Sequence, residues 1–328
     1  MKYFVTGGTG FLGGHLVKEL LQRGHVVIAL ARDPSSAGDL QAAGAQVVKG
    51  DITEKPTMRE PMRGVDGVFH VAGWYKLGNY NKEAAYAINV DGTRNVLELM
   101  NELNVPKGVY TSTLAINSDT GGVKVDESYH FEGEHLSLYD KTKALAHHEV
   151  AEPMIAEGLP LVIVQPGLIY GPSDTSSSGD SIRNFLRGEL PMLPKETAVC
   201  WGHVEDIVEG HILAMEKGEP GESYIIAGPC HTFIEGFDIM AEISGKPPPP
   251  IQMPPWVLKI AAIPMSLVDK IISLPAEFTG EGLRVIAGVT YLGDNSKARR
   301  ELGYDPRPLK EGLRQSLPAY RAEVKEGK

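Results

Sequence analysis

"YFVTGGTGFLGGHLVKELLQRGHVVIALAR", residues 3–32, decides the fold. Tyr3 to Thr6 form a short apolar run that reads as a strand. Leu12 to Arg23 place apolar residues at helical spacing, and Gly24 stops that helix before a second apolar strand, His25 to Leu30. Between strand and helix stand Gly7, Gly10 and Gly13 in the order G-x-x-G-x-x-G. A tight turn, a close approach of backbone to pyrophosphate and close helix–strand packing each favour a residue without a Cβ. The N-terminus of the helix then offers unsatisfied N–H groups and a positive dipole end to an anion. A glycine motif alone is weak; one placed after a strand and before a helix predicts a dinucleotide site.

The end of the second strand, "ALARDPSS" (29–36), bears on which dinucleotide. An NAD site usually places Asp or Glu there to accept from the ribose hydroxyls. Ala31 stands in that place with Arg32 beside it, and a guanidinium fork suits a 2′-phosphate. NADP(H) is therefore the favoured cofactor and NAD(H) the alternative, because a small backbone shift would bring Asp33 to the ribose. As a bare strand-end charge, Arg32 would simply be solvated.

Further along, "AQVVKGDIT" (45–53), "GVDGVFHVAGW" (64–74), "KGVYTSTLA" (107–115) and "LPLVIVQPGLIYGP" (159–172) read as four more strands. Helices fall between them, over Glu83 to Asn104 and Tyr139 to Glu157. Strict alternation of apolar strands with helices predicts an α/β fold with a doubly wound parallel sheet and ligand at the strands' carboxyl ends. Those ends supply the expected cofactor residues. They are Gly7, Thr9, Gly10, Phe11, Leu12 and Gly13 in the first turn, Arg32, then Asp51 and Ile52, with Asp51 placed to accept from an adenine amino group. Val71, Ala72, Gly73, Thr111, Pro166, Gly167 and Ile169 complete the set. The predicted Rossmann domain covers 1–170 and returns at about 200–228; 171–199 and 229–328 form the predicted substrate lobe.

The chain has 328 residues, 42% of them hydrophobic and 23% charged, which suits a globular protein with a large core. A formal net charge of −10 argues against a nucleic-acid surface. Cys200 and Cys230 are too few for a disulfide framework or a thiolate metal cluster. No apolar run is long and uninterrupted enough for a membrane span; "PPWVLKIAAIPMSLVDKIISLP" (254–275) comes nearest, broken by Lys259, Asp269 and Lys270. With a glycine loop so close to the first residue, the expectation is a cytoplasmic protein acting on a small molecule, with a homodimer allowed for.

"SLYDKTKALAHHE" (137–149) sets Tyr139 and Lys143 one helical turn apart on one face. Alone, that spacing describes many ordinary helix surfaces. His147 and His148 follow with Glu152, but a helical pair without further partners does not make a metal site, and no metal is expected.

Taken together, "TGGTGFLG", "GDIT", "FHVAG", "INVDGTRNVLE", "YTSTLA", "YDKTK", "PGLIYGP", "HVEDIVEGHILAME" and "RRELGYDPR" resemble the extended short-chain dehydrogenase/reductases. Within them the chain is most similar to the dihydroflavonol-reductase-like branch, the motifs standing in family order over nearly the whole chain. The resemblance implies that Tyr139 is the general acid/base and that Lys143 lowers its pKa and holds the nicotinamide ribose. An adjacent ammonium favours a phenolate that is otherwise scarce at neutral pH. The family's helper serine aligns best with Thr113, a departure that keeps the hydroxyl but adds a methyl; Ser112 is the alternative. Asn89 is expected to support the same strand end, and His203 to fix a helix start. Trp74, Tyr75, Leu114, Pro166 and Arg183 are the candidate substrate-facing residues. Alternatively, Arg183, Arg187 and Arg284 would clamp a phosphate of a sugar nucleotide, or remain surface charge. The polar stretch 173–181 suits a lid or a solvated loop, and "GKPPPPIQMPP" (245–255) a stiff spacer.

Three functions follow from this reading. The first is an NADP(H)-dependent carbonyl reductase/alcohol dehydrogenase, with steroid-type 3β-hydroxyl oxidation inside that class. The second is a nucleotide-sugar epimerase or dehydratase holding NAD tightly, and the third a cofactor-sensing binding protein without turnover.

Overall fold

The apolar runs that alternate with helices become parallel strands: β1 (Lys2–Thr6), β2 (Val26–Ala31), β3 (Gln46–Lys49), β4 (Gly67–His70), β5 (Gly108–Thr111) and β6 (Leu161–Gln165). A seventh strand, Ser223–Ile225, adds beside β6, giving the spatial order Ser223–Ile225, β6, β5, β4, β1, β2, β3. The structure, a computed structural model, describes residues 1–76, 78, 81–269, 271, 272, 274 and 276–327, with the side chain of residue 277 set aside. The strand order reverses between β1 and β4, where Thr6 pairs with His70, so the crevice for a ligand opens above those two strand ends.

Both faces of the sheet are covered, which is why its strands are apolar throughout. On one face Leu16, Val17 and Leu20 of the first helix (Phe11–Gln22) join Ile207 and Ile212 of the helix Val204–Lys217 in one core. On the other, Val96, Leu97 and Met100 meet Ala146 and Val150. The two long helices read from sequence each contain a wider, π-helical turn, at Ala87–Asp91 and at Ala146–Ala151. Single π turns inside α-helices recur at functional sites because the extra residue re-aims the side chains after it.

The sixth apolar run does not continue as one strand. It breaks at Pro166–Gly167, and Leu168–Tyr170 leaves the main sheet to pair with Ala198–His203 in a second, smaller sheet. A Cβ on Gly167 would lie 2.4 Å from the Cys200 carbonyl oxygen, so only glycine lets the two segments pass this closely. In that sheet Cys230 lies opposite Cys200, and the two form a disulfide. The C-terminal helix, Leu309–Lys325, packs its Leu313, Leu317 and Tyr320 into a separate core with Phe185, Trp201 and Phe237.

Two local expectations are corrected. The proline-rich segment is more than a spacer, because Ile251–Met253 pairs in parallel with Met192–Pro194. The polar stretch 173–181 becomes helical from Ser177, with the Ser176 hydroxyl capping the Gly179 amide at 3.3 Å.

Candidate active site

The glycine turn after β1 is held by crowding. Gly7 has φ +73°, and a Cβ there would come within 2.6 Å of the Ala72 amide nitrogen. A Cβ on Gly13 would fall 2.1 Å from the Gly7 carbonyl oxygen, so the first helix sits against the turn only as glycine. That helix opens at Gly10 with no capping side chain, leaving first-turn amides for an anion. Backbone packed this tightly beside a cleft of about 960 Å³ fits a dinucleotide.

Every cofactor residue named from sequence lines this one cleft, as do Tyr139, Ser112, Thr113, Trp74, Tyr75 and Leu114. Arg183 does not. Its guanidinium is held by Asp180, Glu323 and the Asp174 carbonyl, in the loop and helix beyond the cleft wall. Arg284 is likewise turned aside, donating to the Ser266 hydroxyl at 3.0 Å. Arg187 donates to Asn184 Oδ1 at 3.1 Å, and none of the three lines the cleft, so the phosphate clamp drawn from Arg183, Arg187 and Arg284 is not assembled there.

Just after β2, Arg32 is exposed and lines the cleft, whereas Asp33 caps the next turn. The Asp33 carboxylate accepts from the Ser35 amide at 3.0 Å and the Ser35 hydroxyl at 2.7 Å, and these bonds hold its pKa down. Asp51 uses one carboxylate oxygen for the Thr53 amide and hydroxyl, both at 2.9 Å.

Tyr139 and Lys143 rise from the helix Leu138–Leu145, which starts where the Ser137 hydroxyl accepts from the Asp140 amide at 3.0 Å. Thr113 lines the cleft with Tyr139, and the Thr113 hydroxyl accepts from the Ala115 amide at 3.1 Å. Burial raises the Tyr139 phenol's pKa, the fields of Tyr75 and Asp140 add to this, and the Thr113 hydroxyl opposes it. Lys143 is buried against the strand end, donating to the Tyr110 hydroxyl at 2.9 Å and the Thr111 carbonyl at 2.7 Å. Burial pushes its ammonium down to about 7. Tyr75 meets Tyr139 edge to face, ring centroids 5.4 Å apart.

Ser112 is aimed elsewhere. Its hydroxyl lies 2.7 Å from His147 Nδ1, and Glu152 lies 3.4 Å from His147 Nε2 and 3.0 Å from His148 Nδ1. The π turn explains the arrangement, since it brings residues five and four positions before Glu152 onto one carboxylate. The cluster's three ligand-type side chains thus satisfy one another. Asn89 is corrected too: instead of supporting β5, it accepts from the Trp74 amide at 2.6 Å. Its amide group donates to the Trp74 carbonyl and the Thr142 hydroxyl at 3.0 and 2.9 Å. It ties the segment after β4 to the Tyr139 helix. His203 does cap a helix, accepting from the Glu205 amide at 3.3 Å.

Sequence reasoning missed the far wall. Val199, Val285 and Tyr291 line the cleft from the later part of the chain, and Thr175 and Ser176 from the polar stretch. Asp140, beside Tyr139, is also part of it; burial pushes its carboxyl up to about 7, and the Tyr291 hydroxyl lies 3.5 Å away. No motif marks these positions. Only the buried aspartate in "YDKTK" gave a signal, through its place next to the tyrosine.

The model of the NAD dependent epimerase/dehydratase family matches residues 3–227. A protein of Synechocystis sp., provisionally named dihydroflavonol 4-reductase, is 34% identical over 323 residues, covering 95% of this chain and 92% of its own. The 4-hydroxy-2-methyl-3-oxo-4-farnesyl-3,4-dihydroquinoline-1-oxide ketoreductase of Stigmatella aurantiaca is 31% identical over 329 residues, covering 97% of each. Among solved structures, that of gox2253 superposes with a TM-score of 0.83 at 29% identity over 98% of both chains. With the glycine cradle, the Tyr139–Lys143 helix and the seven-stranded parallel sheet in place, the chain belongs to the NAD-dependent epimerase/dehydratase family of extended short-chain dehydrogenase/reductases.

Proposed function

We propose that the protein is an NADP(H)-dependent carbonyl reductase/alcohol dehydrogenase for a small, apolar or planar substrate, with Tyr139 as its acid. The observation that carries this reading is the buried Tyr139 phenol, its pKa raised by burial, in a cleft walled by Thr113, Trp74, Tyr75, Leu114, Val199 and Val285. A phenol whose pKa is raised keeps its proton at neutral pH, which suits donation to a carbonyl oxygen as that oxygen gains charge. The Thr113 hydroxyl would hydrogen-bond the same oxygen. The bound nicotinamide would supply the hydride. Lys143, hydrogen-bonded at the end of β5, would hold the ribose, and Arg32 would meet a 2′-phosphate. Asp33, spent on Ser35, leaves Arg32 as the charge at that edge of the cleft. The apolar walls favour a substrate without phosphate, and Arg183, Arg187 and Arg284 all lie off the cleft lining, which supports the same choice over a sugar nucleotide.

Purified protein should consume NADPH with ketones of aromatic or prenylated substrates. Tyr139→Phe should lower turnover by about a hundredfold or more while NADPH affinity is retained. Co-purification of tightly held NAD, with interconversion of a sugar nucleotide and no net NADPH consumption, would overturn the proposal.

A further inference from the structure

The helix Pro255–Val268 is apolar on both sides. Leu258 and Ala262 are buried in a small core with Leu283 and Ala287. On the opposite side Trp256, Ile260, Ile263 and Leu267 form a stripe at helical spacing, continued by Ile271 just beyond the helix, each between 60% and 85% exposed. Exposed aliphatic residues are unremarkable singly, but a contiguous stripe of five marks a surface meant to be covered.

Its charges say by what. Lys259 is exposed on one flank of the stripe, and on that same flank the exposed Arg284 reaches the Ser266 hydroxyl. Two acids of the same hairpin, Asp269 and Glu281, are turned inward. Asp269 accepts from the Gly280 amide at 3.0 Å, and Glu281 from the amides of Gly78 and Leu138. The ridge thus carries Lys259 and Arg284 beside its apolar stripe, on a chain whose net charge is −10. A helix with an aliphatic face, a basic flank and a tryptophan at its end has the make-up of one that lies in a bilayer interface. Among the described residues no helix is long and apolar enough to cross a membrane, so the geometry describes lying on a bilayer and not spanning it.

We propose that this ridge docks the protein on the surface of an anionic lipid bilayer. The stripe enters the acyl boundary while Lys259 and Arg284 meet the headgroups. The helix Gly280–Val285 packs beneath the ridge and supplies Val285 to the cleft wall, so docking brings the apolar side of the cleft toward the lipid. The inference stands on the surface alone and holds for either direction of catalysis and any substrate.

The test is co-sedimentation of the full chain with phosphatidylcholine vesicles, with and without phosphatidylglycerol. The wild type should pellet with the anionic vesicles, less so as salt rises, and its exposed-tryptophan emission should shift to the blue. Ile260→Glu/Ile263→Glu should reduce the bound fraction by about tenfold or more. Lys259→Glu/Arg284→Glu should abolish the preference for phosphatidylglycerol. Circular dichroism and NADPH titration check that each variant is folded, and Ile263→Ser, a milder change, should give an intermediate loss. Failure of the wild type to bind either vesicle, or binding by a folded Ile260→Glu/Ile263→Glu variant equal to wild type, would sink the proposal. So would a wild-type dimer that ignores vesicles and becomes a monomer in that variant, since the stripe would then cover a second copy.

Discussion

Ser112 and His147 are hydrogen-bonded, Oγ to Nδ1 at 2.7 Å, which leaves Thr113, one residue later, as the hydroxyl of this strand end not engaged by His147. On the proposed function it is Thr113 that would meet a substrate oxygen. Thr113→Val keeps the shape and deletes the hydroxyl, so turnover should fall by about a hundredfold. Ser112→Ala should leave turnover near wild type but strip a partner from buried His147, lowering stability by roughly 1–3 kcal/mol. Steady-state rates and thermal melts of both variants check this, and the reverse pattern would exchange the two roles.

Cofactor choice should follow Arg32. A charge-assisted bond to the 2′-phosphate contributes about 1.5–3 kcal/mol, or roughly ten- to hundredfold in affinity. Wild type should bind NADPH more tightly than NADH, and Arg32→Ala should remove most of that difference. Ala31→Asp should turn the preference toward NADH. Fluorescence titration of both coenzymes against the three proteins measures it; equal affinities in wild type would show that Arg32 does not meet the phosphate.

Lys143, pushed down to about 7 by burial, gives cofactor binding a pH dependence. If the ammonium holds the ribose, binding favours the protonated form, so NADPH affinity should weaken as pH rises above about 7. Lys143→Met should bind more weakly and lose this slope. A pH series of dissociation constants decides, and an unchanged slope in Lys143→Met would remove Lys143 from the site.

Asp140 should act on stability instead. Its folded carboxyl is pushed from 3.8 up to about 7, so between those values the native state keeps a proton that the unfolded chain has released. Stability from this group is therefore present at low pH and lost as pH climbs through that window. Asp140→Asn should gain on wild type between about pH 4 and 7 and then hold a constant margin, which melts across that range would reveal.

Asn89 makes three hydrogen bonds while buried, two of them clasping Trp74. Asn89→Leu leaves those backbone groups without their partner and should lower stability by a few kcal/mol, about 1–3 per stranded group. It should also raise KM more than it lowers kcat, because Trp74 lines the cleft wall and does not move a proton.

The cofactor half of the cleft was legible from sequence because its physics is local. A strand, a glycine turn and a helix start stand next to one another in the chain, and parallel strands bring their carboxyl ends together whatever their exact lengths. The same holds for the Tyr139–Lys143 face, where helical geometry alone aligns the two side chains. Arg183 misled for the opposite reason: an arginine near a site in sequence goes to whichever acids the fold brings to it, and here these are Asp180 and Glu323.

By itself, then, the sequence determined the sheet, the glycine turn after its first strand and the shared helix face of Tyr139 and Lys143, since each rests on residues close to one another in the chain. Tertiary structure alone decided that Ser112 turns to His147, and that Asn89 clasps Trp74. It also closed the cleft with Val199, Val285 and Tyr291 and turned Asp269 and Glu281 inward, leaving a ridge of exposed aliphatic residues beside Lys259 and Arg284. Those outcomes depend on contacts between residues tens to hundreds of positions apart. Such contacts are chosen by packing and by the need to satisfy buried polar groups, and no local pattern encodes them.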